Sequence, residues 1–217
     1  KPPIRLSISP YLSAYVDHYS GDTENPSNVN KRINGGMDIR YGINDAFTLD
    51  MILVPDFGQV VSDNQVLNLS PFEVRFNENR QFFKEGTELF EKGGYFYSRR
   101  VGGRPVDYGA VEDQLLDNEE IISNPRESQL INATKISGRT KQGLGLGVFN
   151  GLTRQMTAVV KNTESGESRE IVTDPLTNYS VIALDQSLKN NSYLSFINTN
   201  VMRQGAYYDA NLTGTAF

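Results

Sequence analysis

Residues 54–103 read VPDFGQVVSDNQVLNLSPFEVRFNENRQFFKEGTELFEKGGYFYSRRVGG and open an insert, 55–130, that interrupts an otherwise regular alternation of apolar and polar residues. A connection of this length inside a compact domain is normally either functional or disordered. Composition argues for order. Phe57, Leu67, Leu69, Phe72, Phe76, Phe82, Phe83, Leu89, Phe90, Tyr95 and Phe96 are too many large apolar groups for a solvated linker, which would be poor in aromatics. Such a segment must pack against something, and the lumen or rim of a β-barrel is the expected surface. Within it, residues 78–92 place Phe82, Phe83, Leu89 and Phe90 on one side of a broken amphipathic helix, weakened at Gly86.

Outward from the insert, the pattern has a period of two. Ile4, Leu6, Ile8, Pro10, Leu12, Ala14 and Val16 alternate with Arg5, Ser7, Ser9, Tyr11, Ser13, Tyr15 and Asp17, which makes a long two-faced strand. A soluble strand averages roughly 5 to 6 residues, whereas a tilted membrane-spanning one needs roughly 9 to 11. The run is nearer the second. Further strands are expected over 30–41 and 47–53, joined by a tight reversal at Asn44-Asp45, and then over 131–139, 144–160, 179–186, 192–201 and 208–216. Residues 162–166 and 174–175 belong to a polar excursion. Gly143, Gly145 and Gly147 lack the following helix that a nucleotide-binding glycine loop requires. They read instead as a strand face left bare so that something can pack on it.

The connections alternate in sequence: long, short, very long, short, long, short, with only the last out of step. Short turns on one side and long loops on the other are the pattern of an outer-membrane barrel, and this parity puts both ends of the insert on the outer side. The expected fold class is therefore all-β: an antiparallel transmembrane outer-membrane β-barrel, in part, with a plug-like insert containing a short helix. Residues 1–54 supply the first barrel strands, 55–130 the plug or extracellular loop, and 131–217 further strands. Tyr11, Tyr15, Tyr41, Tyr193, Tyr207 and Tyr208 are candidates for the aromatic belts at the membrane interfaces.

Composition narrows the chemistry. The chain has 26 acidic and 21 basic residues, a net charge of -5, and no basic stripe of the kind that binds nucleic acid. Zero Cys removes disulfides and thiolate sites, and the single His18 argues against His-rich metal sites and a Ser-His-Asp triad. Asp22, Asp56, Asp63 and Asn64 lack the order of a calcium loop. No metal or cofactor is expected. No run approaches the roughly 20 apolar residues of a membrane helix, but a barrel hides its signal because only alternate residues face lipid. The opening Lys1-Pro2-Pro3 reads as a mature or trimmed chain.

Several segments carry a resemblance in their wording: NGGMDIRYGINDAFTLDMILVPDFGQV, SDNQVLNLSPFEVRFNENRQFFKEGTELF, GGYFYSRRVGG, INATKISGRTKQGLGLGVFN and LDQSLKNNSYLSFINTNV. The chain resembles, over essentially its whole length, a family of large envelope proteins of Bacteroidota catalogued as domain-of-unknown-function family 5916. The resemblance implies a β-sandwich related to family-9 carbohydrate-binding modules, followed by a long outer-membrane barrel region whose opening part corresponds to this chain. A size argument agrees, since an eight-stranded barrel has room only for its own side chains.

Function follows as an expectation: a non-enzymatic bacterial outer-membrane barrel for uptake, export or surface binding of a glycan or peptide, in contact with outer-membrane lipid and envelope lipoproteins. Asp56, Asp63, Glu73, Arg75, Glu78, Arg80, Glu85 and Glu88 of the insert, with Arg99 and Arg100, are the candidate binding residues. The same charges also fit a salt-bridged network that ties a plug to a polar inner wall. A carbohydrate-active hydrolase would instead pair Glu78 with Glu85, or Glu85 with Glu88, as acid and base, at separations of roughly 5 to 9.5 Å. A secreted β-sandwich adhesin is the third alternative, and it would bury Leu6, Ile8 and Leu12 beneath a second sheet.

Overall fold

The structure is a computed structural model that describes residues 5–19, 28–55, 71 and 75–217. It is mostly antiparallel β-sheet with a few short helical turns. Eight strands form one sheet in the order β1-β2-β3-β5-β6-β9-β10-β11. These are β1 (Arg5–Tyr19), β2 (Asn28–Gly42), β3 (Phe47–Leu53), β5 (Leu130–Arg139), β6 (Leu144–Thr153), β9 (Thr177–Ser187), β10 (Tyr193–Arg203) and β11 (Ala210–Ala216). Pro10 sits on β1, an edge strand of this sheet, where a missing N–H is tolerated. Between β2 and β3 the Asn44 Oδ1 accepts from the N–H groups of Ala46 at 2.8 Å and Phe47 at 3.0 Å, an Asx-type turn. Between β9 and β10 the reversal uses Asn190 and Asn191 at φ 59 and 55, a left-handed region that Asn tolerates.

Two expectations are corrected here. The strand expected over 144–160 ends at Thr153, and the chain then leaves the large sheet. β7 (Met156–Asn162), most of which lies in the strand expected to 160, turns back through the polar segment 162–166 to pair with β8 (Ser168–Asp174), and β4 (Glu119–Ser123) of the insert adds to this hairpin in the order β4-β7-β8. Val111, Ala158, Val160 and Ile171 make its own small core. The period-2 pattern carries through both sheets and so does not reveal the switch. The broken helix expected over 78–92 is shorter than its span: a 3-10 turn at Gln81–Phe83, then a single turn α1 (Glu88–Glu91). Gly86 lies between them at φ 59, outside the helical region.

The insert packs on one face of the large sheet, hereafter the inner face. Phe83, Leu89, Phe90 and Val101 are buried with Ile52, Ala133, Phe149, Val181, Ala183 and Ile197 of the strands. The bare glycines make room. A Cβ on Gly145 would lie 2.6 Å from Leu89 Cδ2, and one on Gly147 would lie 2.8 Å from Phe90 Cζ. Across the sheet, a Cβ on Gly214 would meet the Tyr95 ring at 2.5 Å.

The outer face is different. One hydrogen-bonded row runs Leu6, Tyr41, Leu49, Ile136, Val148 and Ile182 from β1 to β9. On β1 and β2 the apolar residues continue from that row to Leu12, Val16 and Ile33. On β6, β9 and β10 they continue the other way, to Leu144, Leu184, Phe196 and Leu194. There Asn150, Ser180 and Asn198 take over on the opposite side, hydrogen-bonded to Asn178, Asn211 and Thr213. Leu6, Ile8 and Leu12 are 52, 53 and 79% exposed, and no second sheet of described residues covers them. Among the belt candidates Tyr41 faces outward, whereas Tyr11 packs over Gly36, Lys92 lies 4.4 Å from the Tyr193 ring, and the Tyr207 hydroxyl donates to Asp107.

Candidate functional site

The inner face carries a row of charges in register. Arg40 on β2 pairs across to Asp50 on β3, and Asp50 pairs across to Lys135 on β5. Arg40 Nε donates to Asp50 at 2.6 Å and its other nitrogen reaches Glu85 of the insert. Lys135, nearly fully buried, donates to the backbone carbonyls of Phe82, at 2.8 Å, and Glu85. A second cluster lies near the β5–β6 turn. Arg139 meets Glu88 at 2.9 Å and Asp185 at 2.5 Å, and Lys92 donates to Asp185 at 2.6 Å. Insert and sheet are therefore joined by opposite charges at two places, with the aromatic core between them. Lys135 and Asp185 are buried, so their pairings are valuable only while complete, whereas Arg40, Glu85 and Glu88 are partly exposed and screened by solvent.

Beside the first cluster is a cavity of about 620 Å³ between the inner face of β1–β3 and residues 79–85. Ser7, Ser9, Ser13 and Tyr11 line its β1 side, Asp38, Arg40 and Asp50 its floor, and Asn79, Gln81, Phe82 and Glu85 the insert side. Its size is that of a small-molecule site, although its lining is more polar than most.

The sequence candidates are distributed as follows. Asp56, Asp63 and Glu73 lie outside the described residues. Glu85 lines the cavity and Glu88 joins the Arg139 cluster. Glu78 and Arg80 form a separate, largely buried pair inside the insert, where Arg80 Nη2 meets Glu78 at 2.7 Å and also donates to the carbonyl of Ser98 at 2.8 Å. Arg75 stands 5.5 Å and Arg100 6.0 Å from the Tyr97 ring, away from the cavity. Arg99, in the same 3-10 turn as Arg100, is not among the cavity's lining residues. The candidates do not converge on one site. The residues of the cavity that sequence reading passed over, Ser7, Ser9, Asp38, Arg40, Asp50 and Lys135, are the polar faces of strands. Their only signal was alternation.

Two carboxylates of the insert, Glu78 and Glu85, are both held low. Burial pushes Glu78 up, but the Arg80 guanidinium and Ser98 hydroxyl outweigh it and hold the group below the usual range. The Arg40 and Gln81 hydrogen bonds hold Glu85 low as well. A general acid needs a raised pKa, so neither group has the tuning of a glycosidase acid. Among the described residues no cluster of three or more His, Cys, Asp or Glu could hold a metal ion, and no helix is long and apolar enough to cross a membrane.

Residues 2–217 match the model of a family described as a domain of unknown function (DUF5916). No curated protein and no solved structure matches the chain.

Proposed function

The chain belongs to the family DUF5916, and from that premise we propose that it forms part of the wall of a non-enzymatic β-barrel in the bacterial outer membrane. In this reading the insert fills the lumen and the barrel takes up, exports or displays a binding site for a glycan or peptide. The observation that carries it is the outer face of exposed Leu, Ile and Val, set against an inner face on which paired charges flank the insert's aromatic core. An exposed apolar outer face is what a lipid exterior selects, and charges between insert and sheet fit a polar lumen.

The slant of the apolar band supports the same reading. It descends by roughly one residue per strand from β1 to β10, which is the stagger that brings a band level when strands tilt by about 35–45° in a barrel. Both edges, β1 and β11, lack a strand partner among the described residues. In lipid an open edge leaves unsatisfied N–H and C=O groups at several kcal/mol each, so this reading requires further strands to close the wall.

The absence of native Cys makes a direct test simple. Single Cys placed at Leu12, Ile33 and Ser9 would carry an environment-sensitive dye in protein refolded into vesicles. Quenchers attached to lipid chains should dim the dyes at 12 and 33 and spare the one at 9. Dyes at 12 and 33 that stay in water would remove the membrane assignment.

A further inference from the structure

Among the described residues, the cavity contains one charge without a counter-ion. Two cations, Arg40 and Lys135, and three carboxylates, Asp38, Asp50 and Glu85, line it. Arg40 is taken by Asp50 and Glu85, and Lys135 by the carbonyls of Phe82 and Glu85 with Asp50 3.9 Å away. Asp38 has no hydrogen bond or ion pair among the described residues, and its carboxylate is open to the cavity. A charge in a lined cleft is stabilised best by a partner that both neutralises it and donates to it.

Its surroundings define that partner. On β2 Asp38 stands between its register partners Ser9 on β1 and Ile52 on β3. Two residues along the same face, Gly36 lets Tyr11 lie against the strand: a Cβ there would be 2.3 Å from Tyr11 Oη, which donates to the Val54 carbonyl at 2.7 Å. The hydroxyl is thereby fixed and the ring is held on the same face as the carboxylate. A metal ion would require several oxygen ligands, which a lone carboxylate does not supply. A carboxylate, a hydroxyl and an aromatic ring are the groups that hold an ammonium or guanidinium.

We propose that the cavity binds an organic cation of amino-acid or short-peptide size, with its ammonium or guanidinium group on Asp38 and Ser9 beside the Tyr11 ring. Asn79 and Gln81, on the opposite side, hydrogen-bond to the neutral polar remainder. The proposal names a ligand for the lumen described above, but it rests on the cavity and not on the lipid-facing band. Binding and vesicle insertion are read by different measurements, so either can fail alone.

The test is a calorimetric titration of the full chain refolded in detergent micelles. The probes are Nα-acetyl-lysine N-methylamide and its neutral isostere Nα-acetyl-norleucine N-methylamide. The lysine probe should bind at least about ten-fold more tightly. Asp38→Asn should abolish that preference, and Gly36→Ala, which displaces Tyr11, should weaken the lysine probe. Asp45→Asn, in the exposed β2–β3 turn, should leave it unchanged. Equal affinity for the two probes in the wild-type chain, no binding of the lysine probe, or an undiminished preference in Asp38→Asn would each overturn the proposal. The wild-type comparison decides even if a variant does not refold.

Discussion

Arg80 shows what one buried side chain does in this insert. It is 5% exposed, gives its guanidinium to Glu78, to the carbonyls of Val101 and Ser98, and stacks 4.1 Å from the Phe83 ring. Glu78 in turn accepts from the Ser98 hydroxyl at 2.6 Å. Nε, Nη1 and Nη2 of Arg80 all donate within residues 78–101, which is how irregular backbone satisfies its polar groups away from water. Removing one partner of such a pair leaves an uncompensated charge, so Arg80→Ala should cost about 3–5 kcal/mol in denaturant unfolding followed by circular dichroism. Glu78→Gln, which retains a hydrogen-bond acceptor, should cost less. A loss below roughly 1 kcal/mol for Arg80→Ala would mean that the pair is dispensable. From sequence, Glu78 and Arg80 fitted either a ligand site or a salt-bridged network. Their two-residue spacing shows neither that they meet each other nor that Ser98 and Val101 close around them.

The insert and the large sheet fit each other through missing side chains as much as through present ones. α1 rests on Gly145 and Gly147, and its Phe90 amide is bonded to the Thr87 carbonyl at 2.8 Å. A helix of one turn has too few internal hydrogen bonds to persist alone, so its order comes from this packing. Gly147→Val should therefore cost about 1–3 kcal/mol by overpacking against Phe90. It should also speed hydrogen exchange at the Phe90 and Glu91 amides. Gly109→Ala, at a position with nothing within 4 Å, is the matched control and should leave both readouts unchanged. Unchanged protection in Gly147→Val would show that α1 is held by its ion pairs instead. The glycine alternation in β6 was readable as a bare face from the sequence, whereas its occupants, Leu89 and Phe90, were not.

Across the molecule, carboxylates fasten the parts together, and this sets a pH dependence. Glu119, on β4, is held down to about 2 by Arg169 on β8 and by the Leu116 N–H, which joins the insert to the hairpin. Glu78 and Glu85 are also lowered. A carboxyl whose folded pKa lies below its unfolded value contributes stability that is present above the unfolded value, near 4.5, and lost as pH falls through the folded one. The melting temperature should thus be level from neutral pH to about 5 and fall steadily towards pH 2. A rise over that acidic range would contradict the sign. The sequence by itself determined that the chain is all-β, roughly where most strands of the large sheet run, which of their faces is apolar on β1 to β3, and that the aromatic insert must pack on something. Period and composition are local properties, so they can be read one residue after another. Only the tertiary structure decided that residues 119–123, 156–162 and 168–174 form a second sheet, that the insert's described charges spread over separate clusters, and that Asp38 lines a cavity without a partner among the described residues. Those outcomes depend on strand register and on contacts between residues tens of positions apart, and alternation within a strand is the same whichever partner lies beside it.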